Sequence, residues 1–267
     1  MTQKPWQLQV FKKSIKKKEK LRLLQKNLAF DPNLVILDLG CAQGILSYFL
    51  LKKGGFWVHT DQDFENLKTS QSLLEKNLLQ IGEGSLPFKG DSFDLVVSLD
   101  YLEHLENDEL CLEEIHRILK KNGRLVLATP RTGKFLILHR LRSALGLSLD
   151  FYGHQREGYS LEELEKKLSK THLQLQKHQT FSRFFSEFLE LVLNFFYIKF
   201  LSHRIQNKGK LRDGHIRPST SHEFSTQKKT FKIYSFFYPG IWLISRLDKL
   251  FFFLRGYGLI VWAQKIS

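Results

Sequence analysis

Residues Leu34 to Gly44 read LVILDLGCAQG, and this stretch decides the fold. Leu34 to Leu39 is apolar at every position but Asp38, the pattern of a strand buried on both faces. The turn runs from Gly40 through Cys41, Ala42 and Gln43 to Gly44, and a helix begins at once with Ile45. A buried strand, a glycine turn and a helix N-terminus form a ligand cradle at the carboxyl edge of a parallel sheet, because glycines let ligand atoms approach the backbone. The spacing Gly40-x-x-x-Gly44 is not the G-x-G-x-x-G of dinucleotide binding, which argues against a dehydrogenase. An acid two residues before the first glycine suits a ligand with an amino group better than one with a pyrophosphate.

Outward from this point, strands and helices alternate. Gly54-Gly55 breaks the chain before a second strand, Phe56 to Asp61. Asp61 stands at the strand's carboxyl end, where an acid accepts hydrogen bonds from ribose hydroxyls; Asp63 is the better cap for the helix over 64–77. Short and longer strands follow at Leu79–Ile81 and Phe93–Leu99. Asp100, Glu103 and His104 then have i, i+3, i+4 spacing, which on a helical turn places them on one face. Three readings stay open: local capping, His104 as general base, or a divalent ion held by Asp100, Glu103 and His104. An amphipathic helix over 108–121 stops at Asn122-Gly123, and a fifth strand runs from Arg124 to Thr129. Ser160-Leu161-Glu162-Glu163 is a capping box for a helix to Lys170, followed by strands at Leu173–Gln176 and Gly258–Lys265.

Several strings carry a family resemblance: Asp38-x-Gly40-x-x-x-Gly44, Leu86-Pro87-Phe88 with Asp91 to Val97 (DSFDLVV), Leu102-Glu103-His104, Thr129-Pro130-Arg131, and GYSLEELEKKL from Gly158. Together they resemble class I S-adenosylmethionine-dependent methyltransferases, in particular the group containing the ubiquinone and menaquinone biosynthetic enzymes. The resemblance implies an α/β, Rossmann-like, doubly wound, seven-stranded and mostly parallel sheet with a reversed last strand. It implies methyl transfer from S-adenosylmethionine. The cofactor would lie against Asp38, Gly40, Cys41, Gln43, Gly44, Asp61, Gln62, Glu83, Gly84, Leu99 and Asp100. The chain departs from the family in one place: the acid expected four residues before Leu86 is Gly82, and Glu83 comes one place late. The loop over 131–159 leaves a strand's carboxyl end, where substrate contacts are expected, and Tyr101, Arg131, His154 and Tyr159 are the candidates.

The net charge of +14 is unevenly placed. Residues 1–30 hold nine Lys/Arg against one acid, and residues 177–255 hold 14 against five, whereas 31–176 hold 17 against 21. Basic flanks point to an anionic partner, a membrane surface or nucleic acid. No aromatic residues interleave with the basic runs as stacking platforms, which argues against nucleic acid and an RNA methyltransferase. About 80 residues separate the last two strands, and residues 181–255 hold 14 of the 23 phenylalanines. So much apolar surface implies a substrate cap or a contact with the bilayer surface. The expected organisation is a basic N-terminal helix (1–30), a cofactor-binding domain (31–180 and 256–267) and a Phe-rich helical insertion before the last strand (181–255). Two cysteines in apolar segments, no signal peptide and no long apolar run lead to an expected cytoplasmic location, peripheral at the inner face of the membrane. The expected acceptor is a small hydrophobic or lipid-linked molecule. The remaining alternative is a scaffold that kept the fold and lost the chemistry.

Overall fold

The computed structural model describes residues 5–28, 31–133, 136–145, 154–196 and 221–266. Residues 197–220 of the Phe-rich insertion expected over 181–255 therefore lie outside the described residues. In chain order the elements are α1 (Trp6–Lys12), α2 (Ile15–Asn27), β1 (Val35–Leu39), α3 (Ile45–Leu50), β2 (Phe56–Asp61), α4 (Phe64–Leu74), β3 (Leu78–Gln80), β4 (Phe93–Leu99), α5 (Asp108–Ile118) and β5 (Leu119–Pro130). Then come α6 (Ile137–Ala144), α7 (Leu161–Lys170), β6 (Leu173–Phe181), α8 (Phe184–Phe196), α9 (Ser221–Thr226), α10 (Lys228–Ser245) and β7 (Gly258–Lys265).

The seven strands form one sheet in the order β3-β2-β1-β4-β5-β7-β6. The first five are parallel, and β7 runs antiparallel between β5 and β6. The reversed last strand expected from the sequence is thus present, and the Phe-rich insertion bridges β6 and β7. Alternation along β1 sends Leu37 and Leu39 to one face and Ile36 to the other, all without exposure. The first face packs on α5 and α7 through Leu112, Ile115, Leu164 and Leu168. The second packs on α2, α3 and α4 through Leu24, Leu50, Leu67 and Leu73.

Three expectations change in detail. The N-terminal helix is two helices, because Ser14 leaves the helical conformation and accepts the Lys17 amide as an N-cap. The helix before β5 ends at Ile118 rather than at Asn122-Gly123. Leu119 turns extended (φ −69, ψ 136), and Asn122 (φ 61) sits inside a longer strand. Strand β6 runs on to Phe181, and β3 begins one residue earlier than expected. The caps at Asp63 and Ser160 are as expected: their side chains accept the Glu65 and Glu163 amides.

The loop back from α6 to α7 closes on β5. The Tyr159 amide donates to the Pro130 carbonyl at 3.0 Å, and the Thr132 amide donates to the Tyr159 carbonyl at 3.0 Å. Gly158, at φ +124, permits this approach: a Cβ there would lie 2.1 Å from the Pro130 carbonyl oxygen. Gly158→Ala should therefore lower stability by about 2 kcal/mol or more, read as a fall in the urea midpoint at unchanged slope. Gly82→Ala, where a Cβ meets nothing within 4 Å, should leave the midpoint within about 0.5 kcal/mol of the parent.

Candidate active site

Residues Gly40 to Gly44 are pinned to the end of β2. The amides of Gly40 and Cys41 both donate to the Thr60 carbonyl, and the Ala42 amide donates to Asp61 Oδ2 at 2.8 Å. Gly40 and Gly44 have φ of +81 and +75, and Ala42 also lies in the left-handed region at φ 48. A Cβ on Gly44 would press on Ser70 and Leu74 of α4, so this glycine serves helix packing. A Cβ on Gly40 would lie 2.4 Å from the Tyr101 ring, which covers the turn. The Tyr101 hydroxyl accepts from Gln62 Nε2 at 2.9 Å, which joins the end of β2 to the end of β4.

Of the residues expected at the cofactor, Asp38, Gly40, Cys41, Gly44 and Asp61 meet here with their hydrogen-bonding capacity already partly used, whereas Asp100 turns away to pair with Lys20. Asp61 is buried, and burial pushes its carboxyl up. Its oxygens accept the Ala42 and Asp63 amides and the Asn66 side chain, which occupies three of about four lone-pair positions. It holds the turn and helps start α4 as well as facing the cleft. Asp38 lies within the sheet, with Oδ2 paired to His59 Nδ1 at 2.8 Å. The Cys41 thiol is buried and pushed up by burial, and its amide is taken by Thr60. Glu83 is turned aside: its carboxylate accepts the Glu106 amide at 2.7 Å, so this loop leaves Gly84 (φ +111) as its open backbone. Gln43 follows in the turn, and Leu99 closes β4 beside it.

Two buried carboxylates at adjoining strand ends, a turn without a Cβ at Gly40, and the N-terminus of α3 form an acceptor-rich cradle. That donor set fits a ligand with an amino group and two ribose hydroxyls. Asp38 and Asp61 would hold those groups, and the α3 N-terminus would receive a carboxylate.

Beside this cradle lies a cavity of 1420 Å³, floored by the ends of β4 and β5 at Asp100, Glu103, Thr129 and Pro130. Its walls come from outside the sheet: α1 and α2, His139 and Arg142 of α6, His154, α8 and α10. Asp100 adopts φ 53 and pairs with Lys20 of α2, whose ammonium holds its carboxyl below the usual range. Glu103 has no exposure. Oε2 accepts from Thr129 at 3.3 Å, and Oε1 has no partner. Burial, with the Asp100 charge beside it, pushes Glu103 up to about 8. The Gln155 amide donates to the Glu103 carbonyl and brings His154 against His104, ring centroids 4.6 Å apart. Burial lowers His154 to about 4, so it is neutral at physiological pH.

No metal is expected from the sequence, and the minor alternative of one held by Asp100, Glu103 and His104 takes a different membership in the structure. Residues 102–104 form a single 3-10 turn and Asp100 is left-handed, so Asp100 swings to Lys20 and His154 takes its place. Glu103, His104 and His154 each offer a ligand atom within 4.8 Å of the others, a carboxylate–imidazole set suited to a divalent ion. The substrate expectations divide in the same way. His154 lines the cavity. Tyr159 has no exposure, and its hydroxyl donates to Asp108 at 2.7 Å, so it is a structural residue. Arg131 is buried toward the Gly256 carbonyl, and Tyr101 belongs to the cofactor side. Glu103 as a cavity group, Lys20 and Arg142 lie outside the expected contact set.

The cavity's cover is fastened by Glu187 of α8. Its carboxylate, 1 % exposed, accepts from Arg142 at 2.6 Å, Ser182 at 2.9 Å and Lys16 at 3.2 Å. Burial would push it up, but Lys16 and Arg142 outweigh that and hold it down to about 2.

Residues 37–127 match the family description "Methyltransferase domain". A ubiquinone biosynthesis O-methyltransferase of Pelagibacter ubique is 28% identical over 129 residues, 47% of this chain and 52% of that protein. An uncharacterized protein of Methanocaldococcus jannaschii is 33% identical over 109 residues, 41% of this chain and 46% of its own length. The chain thus spans about half the length of the curated relatives it matches. Among solved structures, the YcgJ protein from Bacillus subtilis superposes with a TM-score of 0.60 at 17% identity, covering 94% of this chain and 99% of that one. The [4+2]-cyclase SpnF superposes with a TM-score of 0.58 at 14% identity, covering 92% and 80%. These likenesses place the fold among the class I methyltransferases, and the domain implies S-adenosylmethionine as cofactor.

Since the Glu187 carboxyl is lower in the folded protein than its ordinary value of 4.5, it stabilises above that pH, and the contribution is lost as pH falls toward about 2. Glu187→Gln should cost on the order of 3 kcal/mol at neutral pH. Between pH 4.5 and 2 its stability should also fall less steeply than the parent's, as measured by urea unfolding across that range.

Proposed function

We propose that this chain, which carries a methyltransferase domain on the class I fold and takes S-adenosylmethionine as its cofactor, methylates a hydroxyl of a small amphiphilic acceptor. The observation that carries the reading is the cavity at the ends of β4 and β5. Its floor is polar and ionisable at Asp100, Glu103 and His154. Its upper walls are apolar, with Leu189, Val192, Leu193, Phe231 and Ile241 contributed by α8 and α10. At 1420 Å³ it exceeds the roughly 300–1,000 Å³ typical of drug-sized ligands, leaving space for a long apolar tail. The O-methyltransferase names of several relatives support an oxygen acceptor.

S-adenosylmethionine supplies a methyl group already activated on a positively charged sulfur. The chain's own work is then to orient the acceptor and take its proton. Glu103, with its carboxyl pushed up to about 8, is mostly protonated at neutral pH; its ionised fraction, which grows as the pH rises, receives that proton at the unpartnered Oε1 while the Thr129 hydroxyl holds Oε2. His154, neutral beside it, can accept a hydrogen bond from the same hydroxyl. The ion pair of Lys20 with Asp100 keeps the second carboxylate of the floor ionised, and that negative charge raises the proton affinity of Glu103. A deep cavity with one apolar wall favours a small acceptor over an RNA strand, which would need a long basic groove with stacking platforms.

The test is methyl transfer from labelled S-adenosylmethionine to a phenol bearing a short isoprenoid tail, compared with the same phenol without it. The tailed acceptor should be preferred. Glu103→Gln should lower kcat by about 10²–10⁴ with little change in KM. Methylation of RNA in place of both phenols would overturn the acceptor class. Activity abolished by EDTA and restored by Zn²⁺ would recast Glu103, His104 and His154 as metal ligands.

A further inference from the structure

The chain carries an apolar surface that neither the core nor the cavity consumes. Along α10, Phe236, Leu243 and Ile244 stand at i, i+7 and i+8 on one exposed face and line no part of the cavity. The turn after α10 continues it with Leu250, Phe252 and Phe253. Phe236 is 79% exposed, Phe252 75%, Leu250 69% and Phe253 67%, far beyond the scattered single apolar residues of an ordinary surface. The opposite side of the helix is fixed. The Tyr234 hydroxyl donates to the Lys13 carbonyl at 2.6 Å, and Lys18 Nζ donates to the Tyr238 hydroxyl at 3.1 Å. The exposed face is therefore presented on an anchored helix.

We propose that this face of α10 and the turn after it dock onto an anionic bilayer surface. The charge pattern selects the occupant. Lys228, Lys229, Lys232, Arg246, Lys249 and Arg255 are all exposed around the apolar residues. The single acid of residues 228–255, Asp248, is buried and turned inward, where it accepts the amides of Phe185 and Ser186 at the start of α8. A second copy of the chain on this face would bring the two sets of cations against each other. An anionic lipid surface instead complements them while the phenylalanines enter the acyl boundary. Trp242, with the Arg246 guanidinium over its ring at 4.5 Å, has the aromatic-and-cation pairing suited to the headgroup depth. Among the described residues no helix is long and apolar enough to cross a membrane, so the contact is interfacial.

The docking face runs into the cavity. Ile233 and Phe237 are exposed on the surface and also line the chamber. An acceptor dissolved in the bilayer would thus enter the chamber from the docked side. That link rests on the proposed acceptor, whereas the docking itself does not, and its test reads no activity.

The experiment is flotation of the full chain with vesicles of phosphatidylcholine alone and of phosphatidylcholine with an equal part of phosphatidylglycerol, at low and high salt. The chain should float with the anionic vesicles, and less so at high salt. Phe236→Glu/Phe252→Glu should weaken flotation by about a hundredfold or more while the melting temperature holds. Lys249→Glu/Arg255→Glu should weaken binding to the anionic vesicles by at least about tenfold, and this second variant decides the matter if the first fails to fold. Absence of flotation by the parent overturns the proposal, as does unchanged binding by either folded variant. A dimer that Phe236→Glu/Phe252→Glu breaks, with no vesicle binding by the parent, assigns the face to a second copy.

Discussion

The cover of the active site hangs on one buried carboxylate. Glu187 lies almost out of reach of solvent and receives Lys16 from α2, Arg142 from α6 and the Ser182 hydroxyl from the end of β6. A charge in that position is tolerable only with its partners in place, since removing one partner of a buried ion pair costs about 3–5 kcal/mol. The constraint therefore ties α6 and α8 to α2, which itself packs on the sheet through Leu24. Apolar packing alone would not do so, because the local cluster is small: Leu136, Leu138, Leu191 and Tyr257. The pairing of Lys20 with Asp100 adds a second link from the same N-terminal helix to the floor of the cavity.

This division between a sheet held by burial and a cover held by ion pairs explains the division of labour at the site. The cofactor cradle is built from backbone and short side chains at adjoining strand ends, and it is rigid because Asp61 ties the glycine turn to β2 and α4. The large cavity beside it is lined by long, charged side chains and aromatic rings, many of them on helices packed against the sheet's edge. The fold is shared with proteins of different names, one of them a [4+2]-cyclase, so the fold alone does not fix the chemistry.

The same division decided what the sequence revealed. The strands of the sheet and the glycine turn were legible because burial on both faces and left-handed turns leave strong local marks at Ile36, Leu37, Gly40 and Gly44, whereas the reversed last strand followed only from the family resemblance. The N-cap at Ser14 was hidden within a lysine run that reads as one continuous helix. Leu119 was read as helical because the apolar spacing of α5 continues through it. The face shared by Asp100, Glu103 and His104 presumed an α-helical turn, and a left-handed Asp100 followed by a 3-10 turn undid that geometry. Tyr159 looked like a loop residue because its partner, Asp108, is 51 positions away. The meeting of His154 with Glu103 likewise depends on a contact that local sequence does not encode.

The central claim is that the cradle at the ends of β1 and β2 binds the methyl donor. Calorimetric titration with S-adenosylhomocysteine, of the parent chain and of Asp61→Asn, tests it most directly. The account predicts saturable one-to-one binding by the parent and a clear loss of affinity in a variant that remains folded. Absence of binding by the folded parent, or equal affinity in the two proteins, would contradict it.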